Sequence, residues 1–312
     1  MYAAPATAPG ALTGVIPPLM TPLTVDGELD VASLERLVAR HLDAGVDGLF
    51  ALGSSGEVAF FDDRMRERVL DQVVGIVAGQ VPVLAGAIDM QTHRVLAHAR
   101  AATKLGVAGV VATAPFYAIT GPQEIDTHFR TLAAALDVPL WAYDLPICVH
   151  TKLTVEQLVT WGADGVIAGV KDSSGDDVSF RRLVRASAAA GTGMALLTGH
   201  EVVVDGSYLA GAHGAVPGLA NVDPAGYVRL DRAARAGDWD LVRREQERLA
   251  ALFEIVYVPR GKVGPAAGVG AFKTALRELG VIATNVMSTP MPALDDTEAA
   301  GIAAILEGVG LR

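Results

Sequence analysis

The sequence contains a single cysteine, Cys148, and only 19% of its residues are charged. One cysteine cannot form a disulfide within the chain, so the cysteine content gives no sign of an oxidising compartment. No apolar run reaches the roughly 18 residues that a membrane-spanning helix needs. The first residues lack a basic segment followed by an apolar one. We therefore expect a flexible tail over residues 1–13, no signal peptide and a cytoplasmic location.

Basic side chains are also scarce, with 25 Lys and Arg against 35 Asp and Glu and a net charge of −10. This balance argues against a nucleic-acid partner or an anionic membrane, because both require a basic face. It allows a small anionic substrate, since backbone N–H groups can hold an anion inside an acidic protein. His93 and His98 are five residues apart, not four, and the other histidines are scattered, so no metal site is expected.

Hydrophobic residues and glycine are abundant, at 51% of the chain and 34 residues respectively. Short apolar runs alternate with helical patterns, and several runs are apolar throughout, which is typical of parallel strands buried on both faces. The alternation predicts βαβ units and a parallel sheet. The predicted strands are residues 14–20, 46–52, 81–87, 107–113, 138–143, 165–171, 194–199 and 214–218. The predicted helices between them are residues 31–43, 63–79, 93–105, 122–136, 155–161 and 178–190.

A weak internal repeat, apolar-Gly-x-x-Gly-apolar, occurs four times between a predicted helix and a strand, with copies starting at Ala44, Leu105, Trp161 and Ala210. The copies precede predicted strands two, four, six and eight. Such even spacing fits a closed (β/α)8 TIM barrel better than an open sheet, although Gly-x-x-Gly is also common in glycine-rich α/β proteins. We therefore predict an α/β fold with the barrel over residues 14–236.

Helical patterns continue after the last predicted strand, over residues 223–236, 241–258, 270–279 and 297–306. The glycine-rich stretch 260–270 lacks the Gly-Lys-Ser/Thr ending of a phosphate-binding loop. We predict that residues 237–312 form a C-terminal helical extension packed on the barrel.

Polar and aromatic side chains follow several predicted strands, where the active site of such a barrel forms. Residues 53–57 read Gly-Ser-Ser-Gly-Glu, and their N–H and hydroxyl groups suit a carboxylate, although an ordinary turn with a helix cap uses the same residues. Strand four is followed by Phe116 and Tyr117, and strand five ends at Tyr143. Taken alone, Phe116 and Tyr117 are better explained as cover for the barrel mouth, and Tyr143 is equally well explained as a half-buried structural tyrosine or as a phenol placed in the mouth.

Lys171 is the most informative residue, because it ends predicted strand six after six small or apolar residues. An ammonium buried there without a partner is costly, so an ion pair with Asp172 or an exposed strand end would be a structural explanation. The functional explanation is that desolvation favours the neutral amine. A neutral amine attacks a ketone and forms an iminium, which acts as an electron sink. The residues alone leave both explanations open.

These motifs together resemble those of the dihydrodipicolinate synthase / N-acetylneuraminate lyase family of barrel enzymes, from residue 14 to about residue 279. Several marks in the same order are more specific than any one of them. The marks are residues 53–57, Pro115-Phe116-Tyr117, Tyr143 with Pro146, residues 169–172, residues 211–216 and Ala220-Asn221.

The resemblance implies a class I lyase or aldolase that needs no metal or organic cofactor. Lys171 would form a Schiff base with the ketone of pyruvate or another 2-oxo acid. Tyr143 would shuttle protons, Ser54 would relay them, and Tyr117 would reach in from a neighbouring subunit. A homo-oligomer, a tetramer built from tight dimers, is therefore expected.

The resemblance also implies a set of substrate-binding residues at the strand ends. Ser55 and the N–H groups beside Gly53 would hold the substrate carboxylate. Gly199, Val216 and Glu201 would line the rest of the pocket.

Three departures from the family pattern bear on the substrate, and the first is Cys148. Dihydrodipicolinate synthases usually have an arginine there for the second substrate's carboxylate, and a neutral thiol cannot form a bidentate pair with it. The second is Asp144, which directly follows Tyr143 at a position where the family often has asparagine. Sialic acid lyases have two acids after strand seven, whereas this chain has Glu201 followed by Val202. We therefore favour a 2-oxo-3-deoxy sugar acid or a 4-hydroxy-2-oxo acid as substrate.

Two alternatives stay open. A 4-hydroxy-tetrahydrodipicolinate synthase or a dehydratase would use the same imine on Lys171, and only product analysis would separate these reactions. A catalytically silent barrel that binds or regulates would be expected to have lost Lys171 or Tyr143, and both are present.

Overall fold

The computed structural model describes residues 4–8 and 10–312. In that part, eight parallel strands form one sheet in the order β1-β8-β7-β6-β5-β4-β3-β2. A parallel bridge between Pro18 and Phe50 joins the first strand's end to the second and closes the barrel. The predicted TIM barrel is thus confirmed. The strands are β1 (Gly14–Val15), β2 (Leu49–Ala51), β3 (Val83–Gly86), β4 (Gly109–Ala112), β5 (Leu140–Asp144), β6 (Gly169–Asp172), β7 (Ala195–Thr198) and β8 (Gly214–Ala215).

The described chain also contains twelve helices, most of which surround the barrel. Their ends follow the capping rules: Asp30 accepts from the N–H of Ser33 before the first helix, and Gly45 ends it with φ 79°. The helices are α1 (Val31–Ala44), α2 (Asp63–Val77), α3 (Thr92–Lys104), α4 (Pro122–Ala134), α5 (Pro146–Val149), α6 (Val155–Ala163), α7 (Asp177–Ala190), α8 (Val204–Ala210), α9 (Pro224–Ala236), α10 (Trp239–Phe253), α11 (Pro265–Glu278) and α12 (Asp296–Gly308).

The predicted elements are confirmed in order and type, and the differences lie at their ends. Each strand is shorter than its apolar run, because the flanking residues only lead into or out of the barrel. Helices α5 and α8 were not predicted, since they have four and seven residues and no room for a helical repeat. Helix α11 begins at Pro265, five residues before the predicted start, because Gly268 and Gly270 are accommodated inside it.

Side chains alternate between two hydrophobic clusters, one inside the barrel and one between the barrel and the helices. Along β5, Trp141 and Tyr143 point into the barrel, whereas Leu140 and Ala142 pack outward. This period of two is that of an extended strand. The alternation therefore determines whether each residue at a strand tip faces the barrel interior or the surrounding helices. The inner cluster consists of Ile16, Phe50, Leu84, Val111, Trp141, Tyr143, Leu145, Ala195, Leu197 and Val216.

Part of the N-terminal segment contacts the barrel. Residues 1–3 and 9 of the predicted tail lie outside the described residues. The N–H of Ala8 donates to the carbonyl of Gly193 at 2.8 Å, and the carbonyl of Pro5 accepts from His213 Nε2 at 2.8 Å. Across the described chain, no helix combines the length and apolar character needed to cross a membrane.

Candidate active site

Lys171 lies inside the barrel at the C-terminal end of β6. Its side chain is only 6% exposed. Its Nζ lies 4.2 Å from the ring centroid of Tyr143 and 5.0 Å from that of Phe50. Tyr143 is the neighbour of Lys171 in the β5–β6 register, so adjacent strands bring the two side chains together.

The suggested ion pair between Lys171 and Asp172 does not form. Successive strand residues point to opposite faces, so Asp172 points out of the barrel when Lys171 points in. Asp172 Oδ1 accepts from the N–H of Ser174 at 2.8 Å and from its hydroxyl at 2.7 Å. Among the residues that the structure describes, no carboxylate lies within 4.0 Å of Lys171 Nζ. Neither the ion pair with Asp172 nor an exposed strand end describes this lysine in the structure.

The turn after β2 brings Ser54 to the same place. Ser54 Oγ lies 3.5 Å from the hydroxyl of Tyr143. The turn is tight, with φ 56° at Leu52 and φ 61° at Glu57, values that L-residues adopt only when the surroundings enforce them. At Gly53 a Cβ atom would lie 2.7 Å from the Phe50 ring, so glycine is required there.

The C-terminal helices hold this turn from behind. Glu57 forms a completely buried ion pair with Lys273 of α11. Glu57 Oε2 also accepts from the N–H of Ser288 at 2.7 Å, and Lys273 Nζ donates to the carbonyl of Val286 at 2.9 Å. Burial lowers the pKa of Lys273, and the carboxylate of Glu57 opposes that effect. The extension thus anchors the serine turn.

The loops after β7 and β8 supply the opposite wall of the site. A Cβ atom at Gly199 would collide with Ser173 Oγ and lie 3.3 Å from Lys171 Cε, so this glycine makes room for both side chains. Glu201 Oε1 accepts from the N–H of Leu219 at 2.7 Å. A Cβ atom at Gly218 would lie 2.8 Å from the same oxygen and 3.4 Å from Ser55 Oγ, which places Ser55 beside this loop.

Burial raises the pKa of Glu201 from 4.5 to about 7, against the opposing effects of the Leu219 N–H and the positive charge of Lys171. Val216 belongs to the inner cluster and is 3% exposed. This wall therefore combines an apolar side chain with a carboxyl that can gain or lose a proton near neutral pH.

Tyr117 and Cys148 are both exposed to solvent. Tyr117 is 91% exposed and adopts φ 72°, and within the described chain it makes no hydrogen bond to Tyr143. Cys148 is exposed on the short helix α5. Both are predicted site residues, and in the described chain neither makes a hydrogen bond or ring contact with Lys171 or Tyr143.

A model of the dihydrodipicolinate synthetase family matches residues 11–308. The chain belongs to this family. It is 34% identical over 312 residues to a DapA-like lyase of Halobacterium salinarum, covering 98% of both chains. It is 30% identical over 298 residues to the 4-hydroxy-tetrahydrodipicolinate synthase of Ruegeria pomeroyi, covering 96% of this chain and 99% of the relative. The chain is accordingly an enzyme, a lyase of the dihydrodipicolinate synthetase family.

Solved structures of family members superpose closely on this barrel. YagE, a prophage protein of E. coli K12 solved with pyruvate, gives a TM-score of 0.91 at 25% identity and covers 96% of this chain and 99% of its own. Dihydrodipicolinate synthase from Bacteroides thetaiotaomicron gives 0.89 at 30% identity, covering 95% of this chain and 98% of its own. These structures confirm the fold and the resemblance on which the expected site was based.

Three residues in or behind the candidate site of the present chain were not predicted from its sequence. Phe50 places its ring edge-on to Tyr143, with centroids 6.2 Å apart, and the inward alternation of β2 could have indicated it. Lys273 carries no local signal, because its partner lies far away in the sequence. Lys152 pairs with Asp144 behind Tyr143, and only the fold reveals this contact.

Proposed function

We propose that this family member is a class I lyase that forms a Schiff base between Lys171 and a 2-oxo acid. One observation carries the proposal: the Lys171 amine is buried at the barrel mouth, unpaired with any carboxylate of the described chain, and faces the Tyr143 ring. Only the neutral form of a lysine amine is nucleophilic, and no carboxylate of the described chain holds Lys171 in an ion pair.

The reaction balances with the groups present. The Lys171 nitrogen attacks carbon 2 of the 2-oxo acid, the carbonyl oxygen leaves as water, and an iminium results. When the bond between carbons 3 and 4 breaks, its electrons enter the iminium and give an enamine, while the 4-hydroxyl loses its proton and becomes the aldehyde. Protonation of the enamine and hydrolysis then release pyruvate and the free lysine.

Tyr143 is assigned the proton transfers. Its hydroxyl is the acid–base group on the ring that faces the amine, and Ser54 Oγ lies 3.5 Å from this hydroxyl as the next group for the proton. Proton transfer by a positioned side chain contributes about 10²–10⁴-fold to a rate.

Ser55 and the N–H groups beside Gly53 are assigned the substrate carboxylate. Their tight turn is anchored by Glu57, which keeps the donors fixed before substrate binds. A structure of YagE, with the same barrel, was solved with pyruvate, which supports pyruvate as the small substrate or product.

The part of the substrate from carbon 4 onward is assigned as a neutral, hydroxyl-bearing chain. This assignment favours a 2-oxo-3-deoxy sugar acid or a 4-hydroxy-2-oxo acid. Cys148 offers no cation for a second carboxylate. Glu201 offers a carboxyl that can accept from a hydroxyl, while Val202 beside it cannot.

A homotetramer built from dimers and a cytoplasmic location are part of the same proposal. Tyr117 is 91% exposed, and so are Ile119 at 97% and Ile147 at 81%. Apolar side chains so exposed after β4 and on α5 support a partner subunit there, which Tyr117 would enter.

The test is reduction with borohydride in the presence of pyruvate, followed by peptide mapping. We expect one adduct, on Lys171, and none in Lys171→Ala. A matched control is Lys104→Ala, which removes an exposed lysine and should trap pyruvate like the wild type. An adduct on another residue, or none in the wild type, would refute the Schiff base.

4-Hydroxy-tetrahydrodipicolinate synthase is a second candidate, because a relative at 30% identity has that name. Product analysis with pyruvate and aspartate semialdehyde decides between the two. We expect little product from the wild type and more from Cys148→Arg, which restores a cation at this position. Rapid condensation by the wild type would favour the synthase.

A further inference from the structure

A second ionic cluster lies directly behind the reacting pair, on the outer face of β5 and β6. Asp144 and Asp172 are neighbours in the β5–β6 register, one residue beyond Tyr143 and Lys171. Their side chains are 0% and 6% exposed. Two carboxylates are thus buried side by side at the tips of the two strands that carry the proposed chemistry.

Lys152 is the cation of this cluster. Its Nζ forms an ion pair with Asp144 Oδ2 and lies 3.7 Å from Asp172 Oδ2. The remaining Asp144 oxygen accepts from the N–H of Leu153 at 3.1 Å. Asp172 Oδ2 has no hydrogen-bond partner in the described chain, so the ammonium of Lys152 is the positive charge that offsets this buried oxygen.

The electrostatic balance depends on this lysine. Burial raises the pKa of Asp144, the hydrogen bond and charge of Lys152 oppose that rise, and the charge of Asp172 adds to it. Without the ammonium, two adjacent buried carboxylates would repel each other, and the repulsion would act between the tips of β5 and β6.

The strand tips transmit that force to the inner face. The N–H of Ser173 donates to the carbonyl of Asp144 at 2.9 Å, and the N–H of Gly199 donates to the carbonyl of Asp172 at 2.7 Å. These bonds join β5, β6 and β7 one residue beyond Lys171. A change in strand separation there would alter the distance between the amine and the phenol.

We propose that Lys152 is a positioning residue for the reaction: it neutralises Asp144 and Asp172 and so keeps Tyr143 and Lys171 at their reacting separation. This proposal rests on the proposed Schiff-base function. Lys152 acts through the strand tips and touches no substrate, so its removal should lower a rate constant more than it weakens pyruvate binding.

The experiment measures borohydride-trapped adduct formation as a function of pyruvate concentration, which needs no knowledge of the aldehyde. In Lys152→Met we expect the limiting rate to fall about 10- to 100-fold, the cost of a misplacement on the order of 1 Å. The half-saturating pyruvate concentration should change less than about 3-fold, because the carboxylate cradle lies on the β2 turn.

Two further variants separate charge balance from lost packing. Asp144→Asn/Lys152→Met removes one carboxylate together with the lysine, and we expect its limiting rate to return to within about 3-fold of the wild type. Lys262→Met is the matched control, because it removes another partly buried lysine that pairs with a carboxylate, Glu298, at 2.7 Å. It should trap pyruvate like the wild type.

The outcomes decide the proposal in each case. A wild-type rate in Lys152→Met, or a double variant no faster than the single one, overturns it. If Lys152→Met does not fold, an active double variant still supports the proposal and an unfolded or inactive one overturns it.

A crystal structure of the folded Lys152→Met or double variant gives an independent readout. We expect the distance from Lys171 Nζ to the Tyr143 centroid, 4.2 Å in the wild type, to change in the single variant and return in the double one. An unchanged distance in the single variant overturns the positioning role. Absence of any wild-type adduct would instead refute the Schiff base, and the crystal structures would still decide the positioning role.

Discussion

Two lysine side chains are buried near the barrel mouth in contrasting surroundings. Lys273 is completely buried and forms an ion pair with Glu57. Lys171 is 6% exposed and faces the rings of Tyr143 and Phe50, with no carboxylate of the described chain within ion-pair distance. Burial alone therefore does not distinguish a structural lysine from a reactive one; the partner does.

The difference has a physical cause. A buried carboxylate fixes its lysine as an ammonium and binds it in one place, which suits an anchor. Aromatic faces attract a cation only weakly and leave a neutral amine free to act as a nucleophile. The anchor at Lys273 holds the serine turn that the proposed nucleophile needs, so both lysines serve one site.

Apart from removal of Lys171 itself, the largest expected effect on the rate comes from Tyr143→Phe, which keeps the ring facing Lys171 and removes only the hydroxyl. We expect the rate of adduct formation with pyruvate to fall about 10²–10⁴-fold, because the proton transfers lose their acid–base group. Trapping kinetics measure this effect. A rate near that of the wild type would mean that the ring is the only contribution of Tyr143.

Lys273→Met tests the anchor. It leaves the Glu57 carboxylate buried without its cation, which should lower the free energy of unfolding by about 3–5 kcal/mol. Urea denaturation followed by circular dichroism measures this change. Adding Glu57→Gln to Lys273→Met should recover part of the loss, since a neutral amide needs no counter-ion. A neutral effect of Lys273→Met would contradict the assignment of Lys273 as an anchor.

Lys171→Met should not destabilise the protein, in contrast to Lys273→Met. The substitution removes a buried amine that has no carboxylate partner and fills the same space with an apolar chain. We expect the free energy of unfolding to equal or exceed the wild-type value, by up to about 1 kcal/mol, while adduct formation is lost. A destabilisation as large as that of Lys273→Met would remove the distinction between the two lysines.

The sequence allowed much of this arrangement to be predicted, because the relevant signals are local. Apolar runs and helical periods predict the order of the barrel elements. Lys171 and Tyr143 stand at the ends of two such runs, and the carboxyl ends of neighbouring parallel strands meet. Their proximity therefore follows once the barrel is predicted.

The ion pairs could not be predicted, because each depends on chain segments that meet only in the folded protein. Lys273 lies on a C-terminal helix and Glu57 in the turn after β2, so no spacing in the sequence links them. Lys152 follows α5, a helix of four residues that leaves no periodic signal. Its pairing with Asp144 depends on how the chain returns from that helix to β5.

A pH-dependent effect, smaller than that of Lys273→Met, concerns Glu201, whose pKa is raised from 4.5 to about 7, chiefly by burial. Between these values the folded protein binds more protons than the unfolded one, so this group makes the free energy of unfolding fall as pH rises through that window. Glu201→Gln cannot titrate but can still accept from the N–H of Leu219. We expect the variant to gain about 1–2 kcal/mol over the wild type between pH 4.5 and 8, a value reduced for partial solvent screening.

Denaturation curves across this pH range measure the difference between Glu201→Gln and the wild type. Parallel pH profiles would show that Glu201 keeps an ordinary carboxyl pKa and that the wall opposite the serine turn is well solvated. A difference that opens between pH 4.5 and 7 and is constant above would show that this wall is dry. A dry wall on that side would exclude water from the space beside the Lys171 amine, whereas Lys273 is held by Glu57 and does not depend on this wall.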